Sequence, residues 1–170
     1  MSQRDRFIQI AWAEVGYVEG PKENQTKFGK DMGANYLPWC GSFVMWCAKK
    51  AGLVIPNVIL TSAGATAFQS RGQWQDAAKA TPEPGDLAFF DFPGDGVERI
   101  SHIGIVIGAQ PRKGIVHTIE GNTSGDSKGD QRNGGMVAFK TRTYKKTRRF
   151  KLKRQEPVSI VGFGKPKFKE

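Results

Sequence analysis

Cysteine and histidine are scarce in this chain, with two of each among 170 residues. Two cysteines are too few for the disulfide framework that staples small secreted domains. Cys40 and Cys47 also lie seven residues apart in what reads as one helix, a rise of about 10.5 Å. Disulfide-bonded Cα atoms stay within roughly 7 Å, so the pair should remain free thiols if that helix is continuous. A zinc site using both cysteines and both histidines is disfavoured, because C-x6-C and H-x14-H do not match structural zinc spacings. Long apolar runs are missing as well. The longest, around residues 103–109, falls far short of the roughly 20 residues that span a bilayer. The N-terminus turns charged at Arg4, Asp5 and Arg6 before an apolar signal segment can develop. No membrane anchor and no export by the general secretion route are expected. Acid is missing from residues 140–154, KTRTYKKTRRFKLKR, whose nine Lys and Arg carry most of the net charge of +10. The basicity is therefore local.

The length suits one domain, taken as residues 1–170, large enough to bury a core without disulfides or metals. Hydrophobic residues at 38% and charged residues at 25% are ordinary for a globular protein, whereas 21 glycines imply many turns and disfavour a helix bundle.

Phe7, Ile8, Ala11, Trp12 and Val15 recur at helical spacing ahead of Gly16, so residues 3–15 read as an amphipathic helix with Trp12 in the core. Residues 20–37 lack periodicity and read as one long loop. After Pro38, the stripe of Cys40, Phe43, Val44, Cys47, Ala48 and Ala51 marks a second helix that Gly52 ends. A weaker helix runs from Ser62 to about Arg71. Short branched or aromatic segments bounded by Gly or Pro then follow at 86–92, 101–108, 114–121, 135–142 and 159–164, with a further candidate strand at 147–152. Helices first and strands afterwards indicate an α+β domain, with N-terminal helices packed on a small antiparallel β-sheet.

Cys40 falls in the first turn of its helix. Free N–H groups and the helix dipole favour a thiolate there, and the same N–H groups suit an oxyanion formed when an amide carbonyl is attacked. From position alone, a buried structural cysteine is an equally good reading. Cys47, in mid-helix, reads as core. A cysteine nucleophile needs a base and a group that orients the base. In SHIGIVIG, Ile103, Ile105 and Ile107 point one way, so His102 shares the other face with Gly104, whose small size leaves room for a substrate. In GIVHTIEG, His117 and Glu120 fall on opposite faces, so both cannot serve one cleft. Glu120 and Asn122, two residues apart, could share a face and bring an acceptor and an amide to the imidazole, although an exposed strand-end charge also accounts for Glu120.

The ordered set PWCGSFVMWC, SHIGIV and TIEGN resembles the CHAP family of cysteine amidohydrolases and peptidases over roughly residues 7–142, and within it a phage-lysin or related wall-hydrolase branch. The resemblance implies a papain-like fold and a peptidoglycan substrate. It implies Cys40 as nucleophile, His102 as general base and then acid, Glu120 as orienting group and Asn122 in support, with no role for His117. No cofactor is expected. Some relatives carry a calcium loop before the nucleophile, but KFGKDMGANYLPWC offers only Asp31, Asn35 and scattered carbonyls, too few oxygen ligands for calcium, so no metal is expected. The setting implied is a lysin made in the host bacterial cytoplasm that reaches the wall through an opened membrane. The bond cut stays open between the N-acetylmuramoyl-L-alanine amide and an amide of the stem peptide or cross-bridge.

The basic segment has three readings. A solvated strand face ranks first, attraction to anionic wall polymers through Lys145, Lys146, Arg148 and Arg149 second, and nucleic-acid binding third. A wall-binding domain without catalysis is a further alternative.

Overall fold

The computed structural model describes residues 1–93, 96–97, 99–146 and 158–169. Four α-helices come first: α1 (Gln3–Ala13), α2 (Lys27–Asp31), α3 (Cys40–Ala51) and α4 (Thr61–Ser70). Six strands follow: β1 (Trp74–Asp76), β2 (Leu87–Phe90), β3 (His102–Gln110), β4 (Ile115–Thr123), β5 (Met136–Thr143) and β6 (Ile160–Gly164). They form one sheet in the order β1-β6-β2-β3-β4-β5, and every neighbouring pair is antiparallel. The α+β class expected from the order of helices and strands is the observed one. Among the described residues, no helix is long and apolar enough to cross a membrane.

Local chemistry explains the helix ends. Ser2 and Asp5 form a capping box at α1, with the Asp5 amide donating to Ser2 Oγ at 3.1 Å and the Ser2 amide donating to Asp5 Oδ2 at 3.3 Å. Gly52 closes α3 in the left-handed conformation, with φ of 65°, which glycine adopts without steric cost. Helices α1 and α3 pack together over one face of the sheet, and Phe7, Ala11, Phe43, Val44, Ile103, Ile105, Ile119 and Val137 share one core. A second cluster, including Ala88, Phe90, Val106, Val116 and Phe163, builds a separate core.

Two sequence expectations need correction, and two short elements were not foreseen. Trp12 is not core: it is 45% exposed and stacks on Phe139, because only Phe7 and Ala11, one turn apart, are buried along α1. The segment 20–37 is not wholly loop, since Thr26 caps the short α2 by accepting from the Gly29 amide at 2.8 Å. The edge strand β1 and the 3-10 turn at Ala77–Lys79 had no periodic signal, being three residues each. The candidate strand at 147–152 lies outside the described residues.

Candidate active site

Cys40 is the first residue of α3, and its place is set by the residue before it. Trp39 is fully buried, stacks on Phe28 with centroids 5.5 Å apart, and donates from Nε1 to Glu19 Oε2 at 2.6 Å. Such aromatic contacts add about 0.5–1.5 kcal/mol beyond area burial. From the other side Gly121 of β4 lets the helix approach, since a Cβ there would meet Phe43 Cβ at 2.7 Å and Trp39 Cζ3 at 3.0 Å. The helix start is thereby pinned to the sheet. The first N–H to bond back is that of Phe43, to the Trp39 carbonyl at 2.9 Å, so the N–H groups of Cys40, Gly41 and Ser42 lie ahead of the helical hydrogen bonds.

His102 is the first residue of β3 and is fully buried. Phe90, its partner across the β2–β3 ladder, packs on the imidazole at 5.3 Å, and Phe92 packs on it at 5.6 Å. Nε2 lies 3.0 Å from Glu120 Oε2. Among the described residues Nδ1 has no hydrogen-bond partner, and Cys40 is close enough to act on the imidazole. Burial pushes the imidazole pKa down. The neighbouring Cys40, and the hydrogen bond and charge of Glu120, overcome that penalty and raise it from 6.5 to about 9.

Glu120 is also fully buried, which on its own would favour the neutral acid. The guanidinium of Arg142 and the imidazole reverse that preference and hold its carboxyl far below the usual carboxylate range. Arg142 donates from Nε to Oε1 at 3.0 Å and from Nη2 to Oε2 at 2.7 Å, and Thr118 Oγ1 donates to Oε1 at 2.6 Å. Glu120 is therefore an ionised acceptor and not an exposed strand-end charge. The room beside Gly104, expected to admit a substrate, is taken by this side chain instead.

The structure brings Cys40, His102 and Glu120 together, but it does not lead Asn122 to the imidazole. The amide of Asn122 donates to Asn133 Oδ1 at 2.9 Å and Asn24 Oδ1 at 3.4 Å, while its Oδ1 accepts from the Gly135 amide at 3.2 Å. Strand alternation fails here because the β4–β5 register shifts after Glu120 and Asn122 takes a φ of 55°. His117 lies away from the site, within reach of Gln110 and Thr141 and stacked on Phe139.

Arg142, Thr118, Phe90 and Phe92 escaped the sequence reading. Arg142 was hidden in the basic segment, where it and Lys140 read as part of a solvated face. Both are in fact buried, with Lys140 Nζ donating to the Ser124 and Asp126 carbonyls at 2.8 and 2.9 Å. The alternation Lys140-Thr141-Arg142-Thr143 was the available signal, but only the register Thr118↔Lys140 aligns it with the face of Glu120. Lys145 and Lys146 line a different surface cleft, with Asp76 and Val161, while Arg148 and Arg149 fall outside the described residues.

Cys40 forms part of the wall of a cleft of about 270 Å³ with Leu37, Ile59, Leu60, Ile100, Arg99 and Arg132. It is 3% exposed. Among the described residues no group of three or more His, Cys, Asp and Glu is placed to hold a metal ion. Of the side chains considered for calcium, Asp31 accepts through Oδ2 from Trp46 Nε1 at 2.9 Å and Asn35 through Oδ1 from the Thr26 amide at 3.0 Å.

A solved structure from Staphylococcus aureus subsp. aureus Mu50, described as similar to lipoprotein, NLP/P60 family, matches with a TM-score of 0.51 and 13% identity. The match covers 96% of this chain and 41% of that one, so the chain spans about two fifths of that protein's length and shares its α+β fold. No curated protein matches. A family model described as the CHAP domain matches residues 32–122, a stretch holding Cys40, His102, Glu120 and Asn122. With more than half of its length so matched, the chain belongs to the CHAP domain family.

Proposed function

We propose that the protein is a peptidoglycan hydrolase in which Cys40 attacks an amide bond, either N-acetylmuramoyl-L-alanine or one within the stem peptide or cross-bridge. The observation that carries this reading is the buried line from Cys40 through His102 to the ionised Glu120, opening on one cleft. An imidazolium beside a thiolate suits a nucleophile that works at neutral pH.

In the forward step the Cys40 sulfur bonds to the carbonyl carbon, and the oxyanion is received by N–H groups at the start of α3. His102 passes its proton to the leaving nitrogen as the C–N bond breaks, which leaves a thioester and a free amine. His102, now neutral, takes a proton from water as the water oxygen attacks the thioester. The acid departs and the thiolate–imidazolium pair is restored. Glu120 keeps the imidazole oriented and favours its charged form throughout.

The biological setting that fits the motif set is a phage lysin, made in the host cytoplasm and acting at the wall once the membrane has been opened. Digestion of purified peptidoglycan with mass analysis of the fragments tests the activity and identifies the bond in one experiment. New amino and carboxyl termini in equal amounts, absent with Cys40→Ser, are expected. Intact peptidoglycan after prolonged digestion with folded wild type would overturn the proposal.

A further inference from the structure

We propose that Arg142 is a positioning residue of the catalytic apparatus, whose guanidinium grips both oxygens of Glu120 and fixes the carboxylate against His102. The inference deepens the cysteine mechanism above and rests on it. Three observations carry it. The contact is two-pronged, at 3.0 and 2.7 Å, a geometry that a planar guanidinium achieves and an ammonium does not. Glu120 Oε2 is shared between Arg142 at 2.7 Å and His102 at 3.0 Å, so the guanidinium sets the position of the oxygen that meets the imidazole. The guanidinium also lies 5.5 Å from the ring centroids of both Phe90 and Phe92, the two rings that pack on the imidazole. One aromatic pair therefore fixes the base and the group that holds its partner.

The charge balance argues the same way. A fully buried carboxylate without a counter-charge takes up a proton, and a neutral acid no longer stabilises an imidazolium. Among the opposing influences on Glu120, the charge of Arg142 is the largest. Among the described residues, charged groups acting on His102 include Cys40 from α3, Glu120 from β4 and Asp130 from the loop between β4 and β5, with Arg142 from β5 acting through Glu120. Arg142 repels an imidazolium directly but attracts the carboxylate that lies between them. Its net effect is favourable only because Glu120 stays ionised.

The test is the rate of Cys40 alkylation by iodoacetamide against pH, in the full chain, with the labelled site located by mass analysis and the fold checked by thermal melting. In Arg142→Met the rate at neutral pH should fall about tenfold or more, the change expected for a shift of one pKa unit or more in the pair. Its rise should move to higher pH. Arg142→Lys, which keeps charge but loses the fork, should fall between this variant and wild type. Glu120→Gln should lose reactivity to a similar extent, and the double variant Glu120→Gln/Arg142→Met should be no worse, because Arg142 acts through Glu120. This double variant removes both members of the buried pair and keeps the comparison available should Arg142→Met not fold. A pH profile for folded Arg142→Met that coincides with wild type, one moved to lower pH, or additive losses in the double variant would overturn the proposal. Failure of wild type to cut peptidoglycan would overturn the proposed function instead, while the alkylation profiles would still decide the role of Arg142.

Discussion

The side chain of Glu120 fills the space that a side chain on Gly104 would need: a Cβ built on Gly104 comes within 2.6 Å of Glu120 Cγ. The two residues face each other across the β3–β4 ladder, beside the registered pair Ile105↔Ile119. Glu120 cannot step aside cheaply, because Arg142, Thr118 and His102 hold its carboxylate. Gly104→Ala should therefore destabilise the fold by roughly 1–3 kcal/mol through overpacking. It should also lower turnover on the order of 10- to 100-fold by displacing the acceptor of the imidazole. Thermal melting and turnover on wall fragments measure the two effects, and a well-folded Gly104→Ala with unchanged turnover would refute the placement of Glu120.

The two cysteines should behave oppositely. Cys47 is buried in the core, and burial pushes its thiol well above the ordinary range, so it should resist iodoacetamide at neutral pH while Cys40 reacts. Cys47→Ser places a hydroxyl in an apolar site and should cost about 1–3 kcal/mol with little change in turnover. Cys40→Ser should keep the fold and lose nearly all hydrolysis. Peptide mapping after alkylation, beside a turnover assay, distinguishes this pattern from one in which Cys47 is the reactive thiol.

The pH dependence follows from His102. Its pKa is raised in the fold from 6.5 to about 9, so the stability it contributes is complete below about 6.5 and is lost as pH climbs through about 9. That contribution is on the order of 3 kcal/mol. Glu120 works in the other direction. Its depressed pKa contributes stability above its ordinary 4.5, which is lost as pH falls below that value. Melting temperature should decline on both sides of the interval between these limits, and kcat/KM should fall on the alkaline side near pH 9 as the imidazolium loses its proton. His102→Ala should abolish activity and the alkaline decline in stability. His117→Ala, whose ring contacts Gln110, Thr141 and Phe139, should alter neither.

Part of the basic segment is buried. Arg142 is buried against Glu120 and Lys140 against the Ser124 and Asp126 carbonyls, whereas Lys145, Lys146, Arg148 and Arg149 are the positions proposed for attraction to anionic wall polymers. Changing those four to Gln should weaken sedimentation with intact walls at low salt and leave turnover of a small soluble fragment nearly unchanged. Wild-type wall binding should weaken in the same way as salt rises, since attraction between exposed charges is screened beyond roughly 8 Å at physiological salt. Unaltered wall binding in the fourfold variant would dismiss this docking surface, and tight salt-sensitive binding to DNA but not to walls would favour a nucleic-acid partner.

The amino-acid sequence by itself determined the helix that starts at Cys40, the five longer strands and the separation of His102 from the isoleucines of its strand. These follow from period and end signals that act within a few residues, such as Pro38 before α3, Gly52 after it and the alternation in SHIGIVIG. The family motifs lie on those same elements, which is why Cys40, His102 and Glu120 could be named before any contact was known. Only the tertiary structure decided what surrounds them. Lys140 and Arg142 read as surface charges until the register of β5 against β4 turned them inward, and Gly104 read as open space until Glu120 filled it from the neighbouring strand. Asn122 left the expected face because a register shift and a positive φ broke the alternation after Glu120. Strand register, buried counter-charge and occupied space are relations between segments distant in the chain, and no local period encodes them.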